Sequence, residues 1–339
     1  MSEQTSAPVS METVKAVVDD LRAPKPIVYF LDLLLSSLIG WGLFAWLVSS
    51  QAGAAVQVLV FVVSGLLLYR ALAFIHELFH QQAMKGFRAM WHALAGIPLL
   101  IPFLLYLPIH QAHHNPKTYG TRDDGEYDQF FGNCSKMSAK LFLLNLGLPL
   151  AIIIRFGVLT PLSVLLPVVR REVIPNFVHM ALRMPYRAPE VKESMRKECL
   201  VVEVFCMLFA WTLVGLCTVG YGTVVLWWYA MVLWIATLNT LRALGSTHLY
   251  VEQPAGRGAS GQLLDSLNVS GGGIVTTLLC PTGLRFHALH HVAPYLPYHS
   301  LAKAHRRLVE RLPVASSYHH VTVQNLWQGW QRLLQATGR

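Results

Sequence analysis

Charge is scarce in this chain: Asp, Glu, Lys and Arg make up 13% of 339 residues, against 54% hydrophobic residues. That excludes an ordinary soluble domain, which carries about twice as much charge. Cysteine is scarce too. Cys134, Cys199, Cys206, Cys217 and Cys280 are odd in number, form no CxxC pair, and three lie in or beside long apolar runs. A disulfide framework and a cysteine-held cluster are therefore not expected. Met1 to Lys25 is polar and mixed in charge, without the basic-then-apolar layout and cleavage site of an export signal. It reads as a cytoplasmic tail. The net charge is +9, but no basic stripe is interleaved with aromatics, so no nucleic-acid partner is expected. In a membrane protein the same excess marks the cytoplasmic side.

What the chain has instead is long apolar runs. A bilayer is spanned by about 20 apolar residues in a helix. Ile27 to Val48 and Ala54 to Ile75 reach that length and are joined by the uncharged turn Ser49 to Gly53. Leu200 to Val219 and Thr223 to Leu244 repeat the plan across Gly220, Tyr221 and Gly222. The expected fold is an all-α integral membrane protein with two transmembrane helical hairpins, four spans in all. Both turns lack Lys and Arg. The opposite ends carry Lys85, Arg88, Lys117, Arg122, Lys136, Lys140, Arg242 and Arg285, which predicts that they face the cytoplasm, in keeping with a bacterial inner membrane.

Glu203, inside the third span, is costly in lipid unless it faces protein or the membrane boundary. Ala93 to Ile109 is broken by Pro98, Pro102 and Pro108, and Leu141 to Val169 by Pro149, Arg155, Pro161 and Pro167. Both are expected to lie in the interface, with Arg170 to Lys197 among the headgroups; a re-entrant course stays open. The organisation that follows is a tail at 1–26, a first hairpin at 27–75, interfacial helices at 76–199, a second hairpin at 200–244 and a polar cytoplasmic cap at 245–339. The cap contains the Gly- and Ser-rich loop Gln253 to Gly261 and the cluster Gly271 to Gly273.

Three histidine clusters stand out: His76 and His80; His110, His113 and His114; His287, His290 and His291. Each uses helical spacings of three or four, so each presents its imidazoles in a common direction. The first follows the second span, the second follows the broken apolar run, and the third lies beyond the last span. His248 falls at the same depth and makes nine. A lone histidine such as His92 or His179 reads as an interfacial or hydrogen-bonding residue. Nine at these spacings exceed the four ligands of one zinc, and two metals fit the count better. Imidazole alone does not select the metal. Glu77 is the only acid inside the clusters, which disfavours a carboxylate-bridged site.

These residues resemble the membrane fatty acid desaturase and hydroxylase superfamily, whose mark is three histidine boxes around two transmembrane hairpins. The run Phe286 to Leu308 is similar to the family's segment after the third box. His248, in Ser246 to Tyr250, matches an additional ligand of the acyl-CoA desaturases, with Leu244 where those enzymes place an asparagine that reaches a metal through water; Asn268 or Asp265 is a candidate substitute. Asp123 to Glu126 resembles the family's acidic turn, as outer support for the ligands or as a cap. The resemblance implies two iron ions held by the nine histidines, dioxygen as co-substrate, and insertion of a double bond into an acyl chain. Hydroxylation or ketolation of a lipid or carotenoid is the alternative on the same scaffold. The acyl-lipid or acyl-thioester substrate is left open. Electrons are expected from an external donor such as a ferredoxin or cytochrome, with Lys303, Arg306, Arg307 and Arg311 as a basic patch for docking it. No catalytic residue beyond the metal centre is singled out.

Two rivals remain. His76 to His80 satisfies HExxH, in which two histidines bind zinc and a glutamate is general base, with Asp265 as a third ligand. That leaves two clusters unexplained. A histidine-lined metal transporter would need polar residues along the spans, and Val58 to Leu68 and Val224 to Ile235 offer almost none. Trp227, Trp228, Tyr229 and Trp234 read equally as tunnel lining or as packing.

Overall fold

The computed structural model describes residues 9–121, 123–127, 134–177, 193–250 and 258–337, and these are almost entirely helical. Arg122, His179 and residues 251–257 of the Gly- and Ser-rich loop lie outside the described residues.

The first hairpin pairs Pro26–Ser49 with Ala54–His80. Pro26 opens its helix where a missing N–H costs nothing. The two helices approach closely at Gly40, where a Cβ would stand 2.8 Å from Leu68, and Ser64 donates to the Gly40 carbonyl at 2.9 Å. Small residues allow this contact where both partners are otherwise apolar. The second hairpin pairs Arg196–Thr218 with Gly222–Ser246. It docks on the first through Trp234, whose ring fills the space beside Gly65. Trp228 is buried and donates to the Pro98 carbonyl at 2.7 Å. Both tryptophans are packing residues.

Five helices, not four, are long and apolar enough to cross a membrane, and the additional one runs from Ala139 to Leu165. Expected in the interface, this stretch has Leu143, Leu146, Leu150, Val164 and Leu165 exposed as a lipid-facing surface would be. Both signals that argued against a span are answered by the helix Arg196–Thr218. Arg155 is buried and meets Glu203 at 2.5 Å, with Arg170 on the other carboxylate oxygen at 2.9 Å. Pro161 has no N–H for the carbonyl of Gly157, four residues back. Trp211 donates to that carbonyl instead, at 2.9 Å. The helix widens into a π-turn over Arg155–Leu159 at this point. Glu203, unexplained in the sequence, is the counter-ion that lets Arg155 enter an apolar layer.

Over the histidine-bearing ends sits a cap made of short helices, among them Ala259–Asp265, His287–Val292, Tyr298–Arg311 and Leu326–Thr337. A two-residue parallel pairing of Asn268–Val269 with Thr322–Val323 ties it together. Residues 9–21, read from the sequence as part of a tail, pack into this cap. Val14 and Val18 are buried in one cluster with Leu301 and Leu308, and the Val9 amide donates to Ser317 Oγ at 3.2 Å. Arg307 meets Asp20 at 2.5 Å, which removes it from the basic patch; Lys303, Arg306 and Arg311 are exposed.

Breaking a buried ion pair by removing one partner costs about 3–5 kcal/mol, whereas replacing both with apolar residues is close to neutral. Glu203→Leu is therefore expected to lower the thermal midpoint of the detergent-solubilised protein, and Arg155→Leu with Glu203→Leu to recover most of it. Size-exclusion chromatography after graded heating measures both. A Glu203→Leu midpoint equal to wild type would show that the pair is not what admits the fifth helix.

Candidate metal centre

His76 and His80 lie on the last turn of the helix Ala54–His80, and His110, His113 and His114 at the end of Phe103–His113. His287, His290 and His291 occupy the short helix His287–Val292, and His248 follows Gly222–Ser246, held by a bridge to Ser266. All nine come together, in two groups. The first is His76, His80, His110, His114 and His290; the second is His113, His248, His287 and His291, with the ligand atoms of each group within 4.8 Å of one another. The division follows from helix geometry. Neighbouring residues diverge by about 100° around a helix while i and i+4 nearly coincide. His110 and His114 therefore share one group and His287 and His291 the other, while the adjacent pairs 113/114 and 290/291 are split between them.

Within each group, Nε2 atoms face one another. His80 meets His110 at 3.0 Å, His290 meets His114 at 3.2 Å, His113 meets His291 at 3.2 Å, and His287 meets both His248 at 2.8 Å and His291 at 3.1 Å. Partners on the far side of the rings decide what these atoms carry. His113 Nδ1 lies 2.9 Å from the buried Asp124, His110 Nδ1 2.7 Å from Glu126, and His291 Nδ1 3.1 Å from Gln262 Oε1. Each of those partners accepts, so each Nδ1 carries the proton and each Nε2 presents a lone pair. His113 and His291 bring their Nε2 atoms to 3.2 Å, a separation that needs a proton or a metal cation between the two nitrogens. His76 adds two buried ring nitrogens with no hydrogen-bond partner. A donor set of inward lone pairs with outward acceptors fits metal ions.

Burial works in the same direction. It pulls His110, His114, His248, His287, His290 and His291 well below the usual imidazole range, and neighbouring imidazoles pull them further. They are thus neutral, as ligands must be. His113 is the exception: burial pulls it down, but Asp124 and then Glu126 outweigh this and raise it to about 9. That is the electrostatic mark of a carboxylate–histidine pair that makes the ring a stronger donor to a cation.

The acidic turn supports the histidine groups from outside, since Asp124 and Glu126 meet the Nδ1 atoms of two histidines in different groups. Gln262 had no signal in the spacing of residues. Leu244 is buried among Tyr119, Tyr127, Tyr250 and Leu333. Neither proposed substitute joins a group: Asn268 Oδ1 accepts from the Leu289 amide at 3.0 Å, and Asp265 lies 3.5 Å from His248 Nδ1 while accepting from Tyr119 at 3.2 Å. Glu77 accepts from the Tyr29 hydroxyl and from the Tyr298 amide. It is an anchor between the first hairpin and the cap. With Asp265 beside His248 and not with His76 and His80, the protease ligand set is not assembled.

A model of the family described as fatty acid desaturase matches residues 52–322. Ceramide hydroxylase of Caulobacter vibrioides (strain NA1000 / CB15N) is 33% identical over 335 residues, covering 96% of this chain and 93% of the relative. The chain, with its two histidine groups and its apolar helices, belongs to the fatty acid desaturase family, the superfamily of membrane desaturases and hydroxylases, and is a membrane enzyme of the oxidoreductase type.

Proposed function

We propose that this protein is a dioxygen-dependent di-iron hydroxylase of a ceramide-type lipid. Nine imidazoles, divided into two inward-facing groups with their outer nitrogens held, carry the reading of a two-metal centre. Full-length similarity to a ceramide hydroxylase favours hydroxylation over double-bond formation. Desaturation of an acyl chain is the second reading, favoured by the description of the family model.

His76, His80, His110, His114 and His290 would hold one iron, and His113, His248, His287 and His291 the other. When bound, the pair supplies activation of dioxygen and oxidation of an unactivated C–H bond. The protein's own part is to fix and shield. Asp124, Glu126 and Gln262 hold protons on the outer nitrogens so that the lone pairs stay inward. Seven of the nine histidines are buried, the partly covered ones being His80 and His114, which limits access of bulk water. Insertion of one oxygen atom into a C–H bond leaves the second as water and consumes two electrons and two protons. A separate donor, an acidic ferredoxin or cytochrome, is to supply the electrons, with Lys303, Arg306 and Arg311 as the complementary face. The basic excess at the histidine-bearing ends supports a centre on the cytoplasmic side of a bacterial inner membrane.

Elemental analysis of detergent-purified protein is expected to find close to two irons per chain, with loss in both His113→Ala and His290→Ala. One zinc per chain, retained in both variants, would sink the di-iron reading. Asp124→Asn keeps the shape of the side chain but removes its charge, and is expected to weaken metal retention about 10- to 100-fold. Release of iron to a chelator over time measures it, and an unchanged rate would refute the role given to Asp124. Incubation with ceramide, dioxygen and a reducing system is expected to give a product heavier by one oxygen atom in mass spectrometry. A product lighter by two hydrogens would select desaturation.

A further inference from the structure

The outer nitrogens of the second histidine group are held in different ways. His113 meets Asp124 and His291 meets Gln262, but His248 Nδ1 faces two hydroxyls, Tyr119 at 3.2 Å and Ser266 at 3.1 Å. A hydroxyl both donates and accepts, so neither by itself decides whether His248 carries its proton on Nδ1 or on Nε2. The choice matters, because Nε2 is the inward atom, 2.8 Å from His287 Nε2. A proton there would occupy the lone pair that a metal ion needs.

The group that decides lies one step further out. Tyr119 donates to Asp265 Oδ2 at 3.2 Å. A carboxylate only accepts, so the Tyr119 hydrogen is committed to it and the hydroxyl oxygen turns a lone pair towards His248 Nδ1. Nδ1 must then donate, and Nε2 is left free. Asp265 itself stands 3.5 Å from Nδ1, longer than the usual hydrogen bond, so it acts through the tyrosine.

The backbone keeps these parts together. Leu249 donates to the Asp265 carbonyl at 2.7 Å and Leu267 to the Thr247 carbonyl at 2.8 Å, on either side of the bridge between His248 and Ser266. Tyr119 comes from the turn after the second box, where the next amide, that of Gly120, donates to Asp124 at 2.9 Å. Its ring centre lies 5.1 Å from that of His113 and 5.4 Å from that of His291. One side chain thus borders three of the four histidines in the group. Tyr119, His248, Asp265 and Ser266 are all buried, which keeps bulk water from competing for the same hydrogen bonds.

We propose that Asp265 is a positioning residue for the second group: acting through Tyr119, it holds the proton of His248 on Nδ1 and keeps Nε2 available to a metal ion. This rests on the two-metal reading above and adds to it the residue that sets the tautomer of one ligand. Asparagine in place of Asp265 keeps the shape but brings an amide group that can donate. Tyr119 is then free to reverse, donating to Nδ1 and driving the histidine proton to Nε2, the inversion that an aspartate beside a working histidine prevents. Removing the tyrosine hydroxyl cuts the chain and leaves Ser266 alone beside Nδ1. The two substitutions are therefore coupled, not additive.

The test is release of iron to an excess of chelator from the iron-loaded full chain in detergent. Wild type is expected to release two irons slowly. Asp265→Asn is expected to release one of them about 10- to 100-fold faster and the other at the wild-type rate, the loss that follows removal of an outer partner of a metal-bound histidine. Tyr119→Phe is expected to give a smaller acceleration, and Tyr119→Phe with Asp265→Asn to be no faster than Tyr119→Phe alone. That rescue separates positioning from a part in folding, since a carboxylate needed only for folding would be missed in either background. An unchanged rate in Asp265→Asn overturns the proposal, as does equal acceleration of both irons or a double variant faster than Tyr119→Phe. Should Asp265→Asn fail to fold, Tyr119→Phe decides: faster release of one iron supports the assignment, and the wild-type rate overturns it. Metal content separates the two levels. If wild type holds a single metal ion, the two-metal reading falls while release of that ion from Asp265→Asn still decides the role of Asp265; if it holds none, both fall.

Discussion

Inward-facing imidazole lone pairs are the constraint on which the rest of the structure turns. Outer acceptors hold protons on the Nδ1 atoms of His110, His113 and His291, so their Nε2 atoms turn inward to neighbouring imidazoles about 3 Å away. The histidines come from four separate parts of the chain, so cations held between them would tie the hairpins to the cap. Metal binding and assembly of the cap would then be coupled, as in other sites whose ligands do not preassemble in the unfolded chain. The supporting groups make sense in that light: Asp124 raises His113, and Gln262, from a different cap helix, holds His291.

The histidines were legible in the sequence because metal ligation imposes a spacing that survives as a pattern of letters. Helical intervals of three and four put the boxes on single faces, and adjacent pairs such as 113/114 foreshadow two groups, since neighbours on a helix cannot reach the same ion. Their outer partners were legible only where they sat close by, as Asp124 and Glu126 do on the turn after the second box. Gln262 stands 29 residues from His291, and the contact depends on how the cap packs. The hairpins were equally readable from length and apolarity. The helix Ala139–Leu165 was misplaced because prolines and an arginine were weighed as properties of their own segment. Their cost is set by the neighbouring helix, where Glu203 and Trp211 supply the missing counter-ion and the missing donor.

Glu77 illustrates how little a short motif fixes by itself. The five residues His76 to His80 match a zinc protease pattern letter for letter, yet one oxygen of the glutamate accepts from both the Tyr29 hydroxyl and the Tyr298 amide. Both partners are buried, and Tyr298 in turn donates to Asp32 at 2.7 Å, which is paired with Arg70. The result is a polar seam between the first hairpin and the segment after the third box. A carboxylate committed in this way holds helix ends in register around the metal centre; it is not placed to take a proton from a nucleophile. Chemistry is thus assigned by partners, and the same letters carry a different role when the partners differ.

The buried Arg155 shows how a charge enters an apolar layer. A charge in an apolar layer must be compensated, so the location of its compensation tells what it is for. For Arg155 the compensation is internal: Glu203 and Thr160 meet the guanidinium, and its role is complete within the fold.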